Sequence, residues 1–345
     1  MDAFDRVRAE LKALAPQTAS AYAGKTVAVL LPCYNEEATV AGVVEGFRRA
    51  LPQAGVYVYD NNSTDRTAHA AGKVGAVVRR EPFQGKGNVV RRMFADIDAD
   101  IFVLADGDST YDPALADKLI ERLVKENLDM VVGARVGGKA AYPRGHMLGN
   151  RLFNRVVSGL FGAGFTDIFS GYRVFSRRFA KSFPAASSGF EIEAELSIHA
   201  LDLKIATAEV PLPYGARPAD SSSKLRTVRD GCKILWTIGM MYRALRPFRF
   251  YGAICAILAL ASLALGYPIV ETYLATGLVP RLPTAVLAMG VLQLAFLSLA
   301  CGLIVEAVSD GRREAKRMRY LDLSSVAATT APQWQEPRVV SSQIL

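Results

Sequence analysis

Cysteine is scarce in this chain. Its 345 residues include four, Cys33, Cys232, Cys255 and Cys301, and no two form a CxxC pair. Two of them lie in apolar segments, so all four read as reduced thiols acting as small hydrophobes in a cytosolic environment. Histidine is scarcer still. His69, His146 and His199 have no zinc-ligand spacing and read as structural or exposed. No zinc knuckle and no basic strand interleaved with aromatics accompanies the net charge of +8, so nucleic acid is not an expected partner. The opening MDAFDRVRAELKAL lacks the apolar core of a secretory signal. Residues 1–24 read instead as a short amphipathic segment.

Charge is missing altogether from two stretches, Tyr251–Val270 and Pro283–Val305. Each has about 20 residues, the length that crosses a hydrocarbon core of about 30 Å. Arg243, Arg246 and Arg249 precede the first; Arg312, Arg313, Lys316, Arg317 and Arg319 follow the second. The positive-inside rule then places both flanks in the cytoplasm and the short connection outside. A buried helical hairpin in a soluble protein is the alternative. Leu225–Leu245 mixes apolar and basic residues, as a helix lying on a membrane surface would; a helix packed on the domain is the other reading. Basic residues gathered about the apolar runs favour membrane lipid as a partner. Beyond Leu323 the chain is polar and patternless, which reads as disorder.

The first two thirds alternate strand and helix signals, which predicts an α/β domain with a mostly parallel sheet. Thr26–Leu31 reads as a strand stopped by Pro32, with a helix opening at Asn35-Glu36-Glu37 and running to about Ala50. Val56–Tyr59 reads as the next strand and Arg66–Lys73 as a helix capped by Ser63 or Thr64. A short strand Ala76–Arg79, a glycine-rich loop Gln84–Asn88 and a helix to about Ala95 follow. Met130–Gly133 continues the strand pattern, and Ile205–Val210 is a candidate late strand.

Ile101–Ala105 (IFVLA) runs directly into Asp106-Gly107-Asp108. Side chains at i and i+2 of an extended segment point the same way, so both carboxylates can project from the strand end. In open α/β sheets that end is where ligands bind. Two carboxylates at one spot suit Mg²⁺ or Mn²⁺ held jointly with a substrate diphosphate. A solvated turn is the bland reading of the same residues.

In order, LPCYNEE (Leu31–Glu37), DNNSTD (Asp60–Asp65), QGKGN (Gln84–Asn88) and ADGD (Ala105–Asp108) resemble the nucleotide-sugar half of family 2 glycosyltransferases with the GT-A fold. Asn61 and Asn62 depart from the family's Asp-Asp-Gly-Ser-x-Asp, while Asp60, Ser63 and Asp65 keep it. TDIFSGYRVFSRR (Thr166–Arg178), GFEIEAEL (Gly189–Leu196) and SSKLRTVRDG (Ser222–Gly231) are similar to the polyprenyl-phosphate subgroup, which contains dolichyl-phosphate mannose synthase. The Gln-x-x-Arg-Trp signature of processive synthases is missing.

The resemblance implies Pro32, Tyr34, Glu36 and Asp60 around the nucleoside, Lys86 near the diphosphate, and Asp106 and Asp108 on the metal. It places Glu191 and Glu193 at the sugar; two apart, they could share a face if the segment is extended, and a structural helix start is the other reading of Glu193. A lipid phosphate acceptor needs a cation; Arg173 leads, because a guanidinium fork matches phosphate, with Arg217 and Lys224 behind it. For each of these cations a solvated surface position is the competing reading. Expected boundaries are a GT-A domain over 25–222, a juxtamembrane helix over 223–249, two membrane helices over 250–306 and a basic cytoplasmic tail over 307–345. The expected activity is inverting, metal-dependent transfer from a nucleotide sugar, with a UDP-sugar favoured, to polyprenyl phosphate at the cytoplasmic face of the plasma (inner) membrane. Another membrane lipid as acceptor, or a silent GT-A binding protein, stays open, as does a homo-oligomer.

Overall fold

A computed structural model describes residues 22–136, 159, 165–189, 191–213, 236 and 238–326. The expected N-terminal segment up to residue 21 and the tail beyond residue 326 lie outside the described residues.

β1 (Val27–Cys33) is buried at every position. Val27, Val29, Leu31 and Cys33 enter one core cluster, and Ala28 and Leu30 the other. This two-sided burial is why the strand reads as an unbroken apolar run. α1 (Glu37–Ala50) buries Val40, Val43, Val44 and Phe47 against the first cluster. There follow β2 (Gly55–Asp60), α2 (Thr67–Lys73), β3 (Val77–Arg80), α3 (Lys86–Asp96), β4 (Ile101–Leu104), α4 (Ala116–Lys125), β5 (Met130–Val136), β6 (Arg173–Ser176), α5 (Arg177–Ser182), α6 (Ile192–Leu203) and β7 (Thr207–Pro213). The seven strands form one sheet, ordered β3-β2-β1-β4-β6-β5-β7. Only β6 runs antiparallel to its neighbours, β4 and β5.

β1 does not stop at Pro32, which pairs with Tyr59 of β2. Leu30 turns its backbone carbonyl to the β4 side, where it accepts from Ala105 N. Pro32, two residues on, faces the same side, beyond the last β1–β4 pair at Leu30 and Leu104. The missing N–H therefore costs no ladder bond.

α7 (Pro247–Thr276) and α8 (Leu282–Leu321) pack as a hairpin, with Gly277 left-handed (φ 69°) at the end of α7. Both are long and apolar enough to cross a membrane, and only 6% and 17% of their most apolar windows are buried. A core hairpin of a soluble domain would bury that surface. The buried positions of α8 are Ala288, Ala295, Gly302 and Ser309, one every seven residues. A heptad of small residues lets two helix backbones approach closely. At Gly302 an added Cβ would lie 3.0 Å from Tyr251 Cβ. Ser262 Oγ donates to Ala288 O at 2.8 Å, closing the seam with a polar bond.

α8 continues past the apolar run, so the basic cluster expected in the tail is helical through Arg319. This extension meets the sheet domain. Arg313 Nε lies 3.1 Å from Asp202 Oδ1, and Tyr320 Oη donates to Asp129 Oδ2 at 2.6 Å. Arg178 sits 4.6 Å over the Tyr320 ring. Residues 238–245 are helical and are packed on the domain: Ile238 is buried in its second core cluster, with Met241 and Leu245 against it.

Candidate active site

The register brings three loops to one edge of the sheet. Cys33 pairs with Asp60, and Leu30 with Leu104, so β1, β2 and β4 end side by side. The first two loops are laced together. Asn35, in the left-handed region (φ 52°), donates its N–H to Ser63 Oγ at 2.9 Å and accepts from Thr64 N at 2.7 Å. Glu36 N donates to Thr67 Oγ1 at 2.8 Å. Ser63 is thus engaged across the cleft and does not cap α2. Asp65 Oδ1 does that work instead, accepting from Thr67 N at 2.9 Å. Pro32 and Asp60 are buried here, and Tyr34 and Glu36 are half-buried. Asp60 Oδ1 accepts from Ser63 N at 3.3 Å.

Asn61, a departure from the family pattern, ties down the segment that follows β3. Its Nδ2 donates to Glu81 O at 3.0 Å and Phe83 O at 2.8 Å, and its Oδ1 accepts from Gly85 N at 2.7 Å. An aspartate would set a carboxylate against two carbonyls, so the amide is what this loop needs. Gly85 (φ 130°) and Gly87 lie against the carbonyls of Ser188 and Ser187, where a Cβ has no room. Glu195 holds that facing segment by accepting from Ala186 N at 2.8 Å and Ser187 N at 2.7 Å.

Lys86 stands at the centre. Its Nζ lies 2.5 Å from Asp106 Oδ1 and 2.6 Å from Glu193 Oε1. Burial alone would lower the Lys86 ammonium; the two carboxylates outweigh it and hold it above the ordinary lysine range. Burial pushes the Glu193 carboxyl up, with Lys86 opposing and Asp106 adding to the rise. Its second oxygen, Oε2, is buried with no hydrogen-bond partner among the described residues.

Asp106 is half-buried and Asp108 buried. Asp108 Oδ1 accepts from Thr110 Oγ1 at 2.5 Å and Thr110 N at 3.2 Å. Two glycines let neighbours close on this turn. A Cβ on Gly107 would strike the Glu36 carboxylate, and one on Gly171 would lie 2.5 Å from Asp106 Oδ2. Among the described residues no three His, Cys, Asp or Glu side chains form a metal cage. Two carboxylates from one turn fit a hard divalent cation whose other ligands are substrate phosphates and water.

Two expectations meet a different placement, and a third falls outside the described residues. Arg173 is fully buried at the start of β6. Its Nε donates to Ser170 O at 2.9 Å, and its Nη2 to Ile168 O at 2.6 Å and Ser197 Oγ at 3.0 Å. Burial lowers its pKa to about 10, against nearby carboxylates that include Glu193. The guanidinium fork binds internal carbonyls, not a ligand phosphate, and clamps α6 one turn beyond Glu193. Glu191 and Glu193 do not share an extended face, because Glu193 lies in the first turn of α6 and Glu191 just before it. Arg217 and Lys224 lie outside the described residues.

A mostly parallel sheet whose strand-end loops are laced together beside a strand-end pair of carboxylates defines a glycosyltransferase of the GT-A type. The family described as Glycosyl transferase family 2 matches residues 28–183. Protein RfbJ of Shigella flexneri is 50% identical over 127 residues, 36% of this chain and 98% of that protein. A dolichyl-phosphate hexose transferase of Haloferax volcanii is 32% identical over 203 residues, 58% of this chain and 87% of that protein. The chain also resembles the crystal structure of glucosyl-3-phosphoglycerate synthase from Mycobacterium tuberculosis with Mn²⁺, UDP-glucose and phosphoglyceric acid, at 27% identity. That match has a TM-score of 0.50 and covers 59% of this chain and 79% of the other. The chain belongs to glycosyl transferase family 2.

Proposed function

We propose that this glycosyltransferase moves a sugar from a UDP-sugar to polyprenyl phosphate at the cytoplasmic face of the plasma (inner) membrane. The observation that carries the reading is the meeting of Lys86, Asp106 and Glu193 at the sheet edge, with Asp108 in the same turn, in a chain that also has an apolar hairpin with basic flanks. The Haloferax relative named for a dolichyl-phosphate acceptor supports the lipid, and the Mycobacterium neighbour bound to UDP-glucose and Mn²⁺ supports the donor and a divalent metal.

Pro32, Tyr34, Glu36 and Asp60 bound the nucleoside cleft, and the Asp60 carboxylate can accept from a pyrimidine N–H. Asp106 and Asp108 would hold the metal, which when bound stabilises the departing diphosphate as a Lewis acid. Lys86 sets a fixed positive charge where the diphosphate gains negative charge. Glu193 Oε2, buried without a partner, is open to a hydroxyl of the donor sugar. An acceptor phosphate oxygen attacks the anomeric carbon. The bond from that carbon to the diphosphate oxygen breaks, nucleoside diphosphate leaves, and the anomeric centre inverts. A phosphate monoester has a second pKa of about 6, so its dianion needs no general base near pH 7. With Arg173 committed to the interior, the grip on the acceptor phosphate passes to Arg217 or Lys224.

The test is mass spectrometry of lipid products formed in membranes from a panel of UDP- and GDP-sugars. A hexosyl polyprenyl phosphate from one UDP-sugar is expected. Product on a glycerolipid or ceramide instead would overturn the acceptor, and product only from GDP-sugars the donor.

A further inference from the structure

The corner where the hairpin meets residues 238–245 is hollow, away from Lys86 and the Asp106–Asp108 turn. A pocket of about 250 Å³ opens there, lined by Arg243, Ala244, Tyr251, Val305, Val308, Ser309 and Arg312. No residue of the catalytic edge contributes to it. Tyr251, Val305 and Val308 give it one apolar and aromatic side, and its two charges are both guanidinium.

The acids nearest in sequence are committed elsewhere. Glu306 Oε2 accepts from Phe248 N at 2.9 Å, capping the start of α7 from the neighbouring helix. Asp310 Oδ1 accepts from Arg313 Nη1 at 2.9 Å. Arg243 and Arg312 are both exposed, and neither makes an ion pair with a described residue. Ser309 Oγ donates to Ala244 O at 2.8 Å, fixing the floor and leaving its oxygen lone pairs as acceptors only. Two unpaired guanidiniums over an apolar wall, at the membrane end of a hairpin, match the order of groups in an anionic lipid: phosphate first, hydrocarbon behind it. A small free anion would have no use for Tyr251, Val305 and Val308.

We propose that this corner binds the phosphate headgroup of an anionic membrane phospholipid, with Arg243 and Arg312 on the phosphate and the acyl chain along Tyr251, Val305 and Val308. The bound lipid would fix the tilt of the hairpin beneath the catalytic domain. The proposal rests on α7 and α8 being membrane helices but not on the identity of the sugar acceptor.

The full-length protein, purified in detergent, is titrated with phosphatidylglycerol and with phosphatidylcholine, and bound lipid is counted by native mass spectrometry. Wild type should prefer phosphatidylglycerol. The Arg243→Gln/Arg312→Gln protein should lose that preference by about tenfold or more, given the worth of two interfacial arginines. Arg317→Gln/Arg319→Gln removes the same charge from α8 outside the pocket and should change little. Arg243→Lys/Arg312→Lys keeps both charges and should retain most of the binding; a thermal melt of each variant checks folding. Equal retention of the two lipids by wild type, equal loss in the Arg317/Arg319 control, or loss in the Lys variant matching the Gln variant would overturn the proposal. Displacement of phosphatidylglycerol by millimolar inorganic phosphate would make the site one for small anions. Alkaline carbonate extraction separates the two readings: release of the chain from membranes sinks the anchor itself, whereas a retained chain with no lipid preference sinks only this site.

Discussion

The charged sheet edge and the apolar hairpin solve opposite problems. At the edge, charged groups are withdrawn from solvent: Glu193 and Asp108 are buried and the Lys86 side chain is only 9% exposed, each with named polar partners. In the hairpin, apolar groups are exposed: Leu260, Leu263, Leu274, Leu294, Leu297 and Ile304 face outward. Position at the edge is set by individual hydrogen bonds, because an unpaired buried polar group costs so much. In the hairpin it is set by a seam of small residues every seven positions. Single substitutions at the edge should therefore act sharply, while the hairpin should tolerate most changes outside its seam.

The largest effect expected is at Arg173. Arg173→Ala removes three buried hydrogen bonds, to Ser170 O, Ile168 O and Ser197 Oγ, a loss of roughly 3–5 kcal/mol of stability. Chemical or thermal unfolding in detergent reads it directly. A variant that folds normally but has a raised acceptor KM would return Arg173 to the phosphate site and erase the interior clamp.

Next comes Asp108→Asn, which removes one formal charge from the carboxylate pair. Turnover should drop at least about a hundredfold, roughly 2.7 kcal/mol in the barrier, with the melting temperature held, and EDTA should abolish wild-type activity. Full turnover in metal-free buffer would contradict the role given to the pair.

The hairpin offers a matched test on one helix. Gly302→Leu pushes a side chain into Tyr251 and should cost about 1–3 kcal/mol. Gly290→Leu, where an added Cβ meets nothing within 4 Å, should stay within about 0.5 kcal/mol. Equal effects on thermal melting would mean that the seam does not hold the helices.

The smallest effect sits where the two regions touch. His199 on α6 is buried between Phe179 and Phe183, and neither ring nitrogen has a hydrogen-bond partner among the described residues. Burial, aided by Lys316 of α8, lowers its pKa from 6.5 to about 3. The folded state therefore binds fewer protons than the unfolded chain between those values. Its stability contribution is complete above pH 6.5 and falls as pH drops toward 3, by at most about 1.4 kcal/mol per pH unit. His199→Phe should flatten the dependence of melting temperature on pH between 6.5 and 4.5. An unchanged slope would place the acid sensitivity elsewhere.

The sequence made the edge legible wherever a motif was local. Asp106-Gly107-Asp108 directly follows its strand, and Lys86 sits on a glycine-flanked loop, so both could be placed from spacing. The hairpin was legible from the lack of charge alone. β6 was not, because four residues are too few to show a strand period and the strand runs antiparallel in a mostly parallel sheet. Arg173 misled for a related reason: its acceptors come from Ile168, Ser170 and Ser197, and burial of a cation is decided by such distant neighbours. Asn61 was noticed only as a departure, since the carbonyls it serves lie about 20 residues downstream. The docking of Arg313 on Asp202 joins residues 111 apart and carries no local signal.

The central claim is that the acceptor is a lipid phosphate whose own oxygen attacks the sugar. One comparison tests it most directly. The full-length enzyme in lipid nanodiscs receives its preferred UDP-sugar with either a polyprenyl phosphate or the corresponding polyprenol, and mass spectrometry follows the lipid. The account predicts a glycosyl phosphate product of inverted anomeric configuration with the phosphate and no product with the alcohol. Comparable transfer to the alcohol, or a product with retained configuration, would contradict it.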